Sequence, residues 1–294
     1  MNKKQNNTTV GILAGLASAL CVSGYFIINK YVYNTYEITA VQYSLLFAVV
    51  GGLYALVSLL IQKDISRLEM KRHTLSFGIL GSTGFLAVGM LVFGQQFTTS
   101  VNAAILVPAT IVTTALFSFV LLREKLNRNQ WLWIAVLFTG LYVGIVGFRT
   151  LTLQVGDLII LGSLFVFGFG NVYSRVIMKK VAKPAIVPDV RLAIAGAIAL
   201  VLTPLLVREY GVMVEVLPLA FTAGFFYWLC MKFFAKSVHL LNANEAIILN
   251  NSQIFFTSLL GVILLSEDYS LEKFIGSLVV LVSIYFIAVR SKRT

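Results

Sequence analysis

The chain has 294 residues, 59% of them hydrophobic and only 12% charged, with a net charge of +11. A soluble domain of this size carries about a quarter charged residues, so the composition excludes a water-soluble globular protein and names lipid as the solvent. The surplus of Lys and Arg forms no contiguous basic face outside the apolar stretches, which excludes nucleic acid as a partner and fits cationic loops that orient a membrane protein.

In chain order, the N-terminus reads Met-Asn-Lys-Lys and then runs apolar from Val10 to Ile28. Ala17-Ser18-Ala19 is a conceivable cleavage site, but the run is too long for a signal-peptide core, so an uncleaved first helix is expected. Hydropathy predicts spans at 10–29, 39–61, 74–95, 101–122, 130–148, 157–177, 190–207, 213–235, 242–265 and 270–289. Most reach the roughly 20 residues that a helix needs to cross a bilayer. The fold class is therefore all-α, a ten-helix integral membrane protein, with short connections that make neighbouring helices antiparallel. Pro108 falls in the middle of the fourth span, where it removes a backbone hydrogen bond and should kink the helix. Gly11 and Gly15, and Gly140 and Gly144, are one turn apart and suit close helix packing. The widest gap, 62–73, is rich in charge.

With the N-terminus inside, nearly all loop Lys and Arg fall on the inner side, leaving Lys30, Arg149, Arg208 and Lys273 outside. Both termini are therefore expected in the cytoplasm, with the chain in the inner membrane of a prokaryote. Cys21 and Cys230 lie in apolar runs and His73 and His239 at span edges, so neither a disulfide framework nor a metal or other cofactor is expected.

The chain resembles itself. Displaced by 143 residues, 102–145 lies on 245–288 without a gap, and Leu121-Leu122-Arg123-Glu124 meets Leu264-Leu265-Ser266-Glu267. A displacement near 145 lays Gly11 on Gly156 and Lys30 on Arg175. Residues 1–150 and 151–294 thus read as two five-span halves. Five is odd, so the second half enters the membrane inverted, a recurring plan in secondary transporters.

Ten spans in two such halves resemble the EamA-type members of the drug/metabolite transporter superfamily. The resemblance covers nearly the whole chain and is carried best by Asn102-Ala103-Ala104-Ile105-Leu106-Val107-Pro108, by Leu121-Leu122-Arg123-Glu124-Lys125-Leu126 and by a weaker echo at 245–269. Lys30, ending the first span, also fits. Asn251 stands where the repeat would place a second proline, Glu245 where Asn102 does, and Gln42-Tyr43 near where such proteins often carry Arg; Arg191 is a candidate counterpart in the second half. The resemblance implies a cavity lined mainly by spans one to four and six to nine.

Polar side chains at membrane depth are functional candidates by default. Glu245, early in span nine, is followed by Asn250, Asn251 and Gln253, which either line a cavity or bond between helices. Lys232 lies before the turn between spans eight and nine and Glu245 after it, each roughly 8–9 Å from that turn at about 1.5 Å per residue. We expect them to pair or share a site, unless Lys232 snorkels to the surface. Gln42, Tyr43, Tyr25, Asn171, Tyr227 and Trp228 form a second tier; the aromatics either wall a site or belong to the core. Gln95 and Gln96 read as interfacial, and Arg191 with Asp189 as a solvated pair. Pro108 is the candidate hinge.

No Ser/His/Asp group, carboxylate dyad or phosphate-binding loop is present, so the chain is expected to be neither an enzyme nor an ATP-driven pump. The expected function is a secondary carrier, exporter or facilitator for a small organic metabolite such as an amino acid or amine, with a drug exporter or lipid flippase of the same fold as the alternative. A membrane-embedded enzyme such as a lipid-modifying transferase would need polar residues clustered at one interface, and a channel a filter-like segment. The expected partners are the substrate and the bilayer; a coupling proton and a homodimer stay open.

Overall fold

A computed structural model describes residues 3–62, 73–123, 128–146, 154–181, 186–241 and 243–290. The charged gap at 63–72 and Glu124 lie outside them. Among the described residues all regular structure is helical: α1 Lys3–Thr35, α2 Ala40–Gln62, α3 Thr74–Gln95, α4 Ser100–Leu106, α5 Thr110–Leu122, α6 Arg128–Val146, α7 Val155–Met178, α8 Val187–Leu206, α9 Gly211–Glu215, α10 Leu217–Leu240, α11 Ala243–Asn251, α12 Gln253–Leu265 and α13 Leu271–Arg290.

Nine helical stretches among the described residues are long and apolar enough to cross a membrane. They correspond to the first nine expected spans: α1, α2, α3, α4 with α5, α6, α7, α8, α10, and α11 with α12. The tenth expected span is helical as α13, though not among those nine. Span eight begins later than hydropathy suggests, because Gly211–Glu215 forms a separate short turn of helix, and it continues to Leu240.

Spans four and nine are each broken near the middle. In span four the expected kink takes the form of a 3-10 turn at Val107–Ala109. Pro108 has no N–H to offer the preceding turn, and the Thr110 hydroxyl donates to Val107 O. Span nine breaks at Ser252 without a proline. There the Ser252 N–H and hydroxyl both donate to Leu249 O, at 3.2 and 2.6 Å, and Asn251 Nδ2 donates to Ile247 O at 2.8 Å. Side-chain donors interrupt the ladder that proline interrupts in span four. Both spans also end alike. Arg123 (φ 58°) and Ser266 (φ 53°), 143 positions apart, are left-handed caps whose N–H groups close on Ser118 O and Gly261 O.

Span one packs along spans eight and nine, and span six along spans three and four. Span two packs on span seven, and span five on span ten. Replacing every span in these pairings by the one five places away returns the same set. The tightest approach is between α2 and α8, where a Cβ on Gly52 would stand 2.6 Å from the Gly196 Cα, and the converse holds. Gly140 and Gly144 seat the backbone of α13 around Gly276 in the same manner.

Candidate functional site

Three helices bring an ion cluster together inside the bundle. Asp189, in the first turn of α8, is 4% exposed. It accepts from Lys232 Nζ of α10 at 2.5 Å and from Ser58 Oγ of α2 at 2.9 Å. A carboxylate this buried requires a charged partner. The expected Lys232–Glu245 pair is therefore not formed. Similar distance from a shared turn sets depth but not azimuth, and Lys232 lies one turn beyond Trp228, over whose ring its ammonium sits at 5.7 Å. Glu245 is exposed at the start of α11.

The expected Asp189–Arg191 pair is also absent, because residues two apart on a helix point to nearly opposite sides. Arg191 instead extends between α3 and α7. Nη1 donates to Asn171 Oδ1 at 3.3 Å, and the guanidinium lies 5.9 Å from the centre of the Phe167 ring. Two glycines open its slot. A Cβ on Gly84 would meet the Arg191 Cγ at 2.9 Å, and one on Gly170 would meet Nη2 at 2.5 Å. Nη2 is buried and has no acceptor. Asn171 and Arg191 are thus neighbours, an association that their separation in sequence conceals.

The second-tier aromatics divide into two groups. Tyr25, Tyr43 and Tyr227 join Phe47 in one buried cluster, with Tyr25 and Tyr227 rings 5.3 Å apart and Phe47 5.6 Å from Tyr227. Tyr43 Oη donates to Asn29 Oδ1 at 2.9 Å, and Asn29 Nδ2 to Gln95 Oε1 at 2.9 Å. Gln95 is fully buried, not interfacial, because it completes this chain, while Lys30 Nζ donates to its backbone oxygen at 3.3 Å. Trp228 belongs to the other group. It stacks on Tyr54 at 6.2 Å beside Lys232, and its Nε1 is buried without an acceptor. Gln42 joins neither group. Its Oε1 accepts from Thr39 and its Nε2 donates to Glu209 O, tying two connections at one end of the bundle.

The amides of span nine mostly bond between or within helices. Ser18 Oγ bridges Asn250 Oδ1 and Cys230 O, joining α1 to α11 and α10. Gln253 is 1% exposed and its backbone oxygen accepts from Ser23, which in turn accepts from Thr257. Gln253 Oε1 has no donor.

Glu267, read in sequence only as a repeat marker, clasps the end of span nine to the start of span four. Oε1 accepts from Ser100 N at 2.8 Å. Oε2 accepts from Ser100 Oγ at 2.8 Å and from Val101 N at 3.0 Å. The carboxylate thus caps the first turn of α4, where free N–H groups and the helix dipole favour an anion. Below the clasp α4 packs along α12. The pair generated by the same five-place exchange, α5 with α11, has no comparable packing. Spans four and nine therefore meet at the Glu267 end and part at the other. A surface recess of about 820 Å³ at the α1–α2 connection, lined by Tyr33, Glu37, Thr39, Gln96 and others, contains none of the ion cluster.

A family model described as the EamA-like transporter family matches this chain twice, at residues 9–146 and 154–289. An uncharacterized transporter of Bacillus subtilis (strain 168), YyaM, is 27% identical over 111 residues, a stretch that covers 36% of each chain. The chain thus matches about a third of that relative's length. The fold is similar to that of a solved crystal structure at a TM-score of 0.59 and 15% identity, covering 97% of this chain and 98% of the other.

Proposed function

The chain belongs to the EamA-like transporter family, and from that premise we propose that it is a secondary carrier, moving a small organic metabolite such as an amino acid or amine across the cytoplasmic membrane. The observation that carries this reading is the pair of charged sites, Asp189–Lys232 and Arg191, held within a bundle of membrane-length helices. Charges enclosed among such helices are costly and mark a solute or ion pathway.

Alternating access between two inverted five-span halves, 1–150 and 151–294, is the proposed mechanism. The pairing of spans under a five-place exchange, the matched breaks in spans four and nine and the matched caps at Arg123 and Ser266 support it, as does the double match of the family model. Taken with the distribution of basic residues, the Glu267 clasp closes the outer side and the parted α5 and α11 belong to a cytoplasm-facing state. Span four, broken at Pro108, is the proposed gating element. Asp189, buried against Lys232, is the proposed carboxylate of the pathway, in preference to the exposed Glu245.

The test is solute exchange by the purified chain in liposomes loaded with amino acids or amines. Saturable exchange of a labelled member of the panel is expected. Well-folded protein that exchanges none of them would overturn the substrate class, and a signal that never saturates would overturn the carrier.

A further inference from the structure

Among the described residues no carboxylate pairs with the Arg191 cation. The acidic residue nearest in sequence, Asp189, is taken by Lys232 and Ser58. Among the described residues the guanidinium's one acceptor is a neutral amide oxygen, that of Asn171. Nη2 is buried with no acceptor, while the residue as a whole stays partly exposed. Arginine's fork matches an oxyanion by geometry, and a buried donor left unpaired is a standing cost that such a ligand removes.

The fold keeps this fork in place. Gly84 and Gly170 supply the slot, since a side chain at either would meet the Arg191 side chain, and Phe167 and Asn171 of the same helix flank it. Charge then selects the ligand. Lys232 and Asp189 neutralise each other, so among the described residues the guanidinium of Arg191 carries the charge a ligand at this slot would meet. One negative charge balances it; a dianion would leave an excess, and an amine would be repelled. The apolar ring of Phe167 at the guanidinium suits an organic body attached to that anion.

We propose that Arg191 is a substrate-binding residue that receives a monocarboxylate group of the carried solute. This rests on the carrier reading, and it narrows the solute to one bearing a carboxylate.

The experiment uses the purified full chain in detergent, where binding is read without transport. Thermal unfolding is followed with straight-chain monocarboxylates from acetate to octanoate and with phenylacetate. The matching amides, phenethylamine and phenyl phosphate serve as comparisons. At least one carboxylate should raise the melting temperature with saturation, and its amide, the amine and the phosphate should not. Arg191→Gln should weaken that binding by about tenfold or more. Without ligand it should melt no lower than the parent, because it removes an unpaired charge instead of breaking an ion pair. Gly170→Ala, which intrudes on Nη2 while keeping the arginine, should weaken binding in the same order of ligands. No shift from any carboxylate, equal shifts from acid and amide, or an unchanged shift in Arg191→Gln would each overturn the proposal. Carboxylate binding that needs Arg191, in a chain that exchanges nothing in liposomes, would uphold the site and remove the carrier.

Discussion

Lys232 of α10 and Asp189 of α8 meet at 2.5 Å, joining helices whose paired residues are 43 positions apart. Asp189 is nearly sealed while Lys232 keeps 33% of its side-chain surface. The pair is thus buried at one end and reachable at the other. Removing the carboxylate by Asp189→Ala strands a partly buried ammonium. The loss should be about 2–3 kcal/mol, below that of a fully sealed pair because Lys232 is part-solvated. The double change Asp189→Leu with Lys232→Met should recover most of it. Denaturant unfolding in detergent measures both, and a double variant no more stable than Asp189→Ala would refute the pairing energetics.

The same pair bears on coupling. If transport depends on pH through a carboxylate, Asp189→Asn should flatten that dependence. Glu245→Gln, at an exposed helix start, should keep it. Exchange rates across a pH series in liposomes separate the two, and the reverse pattern would return the role to Glu245.

The clasp at Glu267 predicts a change in access. Glu267→Ala deprives the first turn of α4 of its cap, at about 1–2 kcal/mol. A cysteine at Val101, buried beneath the clasp, should then react faster with a membrane-impermeant reagent added outside. An unaltered rate would mean that the outer closure does not depend on this carboxylate.

Pro108→Ala should slow exchange while leaving folding and ligand affinity near the parent's, because it restores a backbone donor at the break in span four. Ser252→Ala, which removes the hydroxyl from the break in span nine, should slow it in the same direction. Exchange at the parent's rate in both variants would reduce the breaks to packing features.

Orientation has its own measurement. A cysteine at Arg128 should be labelled from the cytoplasm and one at Tyr210 from outside, with the opposite sides unreactive. Labelling of both from one side would remove the inverted arrangement.

Much of the fold was legible in the sequence, because span length and apolarity follow directly from bilayer thickness. The break in span nine was not, since Asn251 and Ser252 are ordinary polar residues until their donors turn to Ile247 O and Leu249 O. Repeat arithmetic picked out Glu267 but not its task, which depends on the start of α4 arriving opposite it. The Lys232–Glu245 expectation failed because a short connection makes two helices neighbours without saying which faces meet. Span eight lies chiefly against spans one and two. Asp189 carried one usable signal, a carboxylate at the edge of an expected span, and Arg191 beside it absorbed that signal. Asn171 stood out in the sequence as a polar residue within a span, but its partner could not be named, because nothing in sequence reports the slot at Gly84 and Gly170.

The contact between Gly52 and Gly196 bears on ancestry. Helices α2 and α8 are counterparts under the five-place exchange, and these two positions face each other so closely that a Cβ on either would stand 2.6 Å from the other's Cα. Had the halves begun as separate copies of one five-helix chain assembled head to tail, this position would have faced itself. Any mutation there would have struck both sides of the contact at once, doubling the intrusion. Fusion into one chain would let the two positions vary independently, yet the backbones still leave room for a side chain at neither. On that ancestry the two glycines would be a place where the single chain keeps the self-complementarity of a dimer.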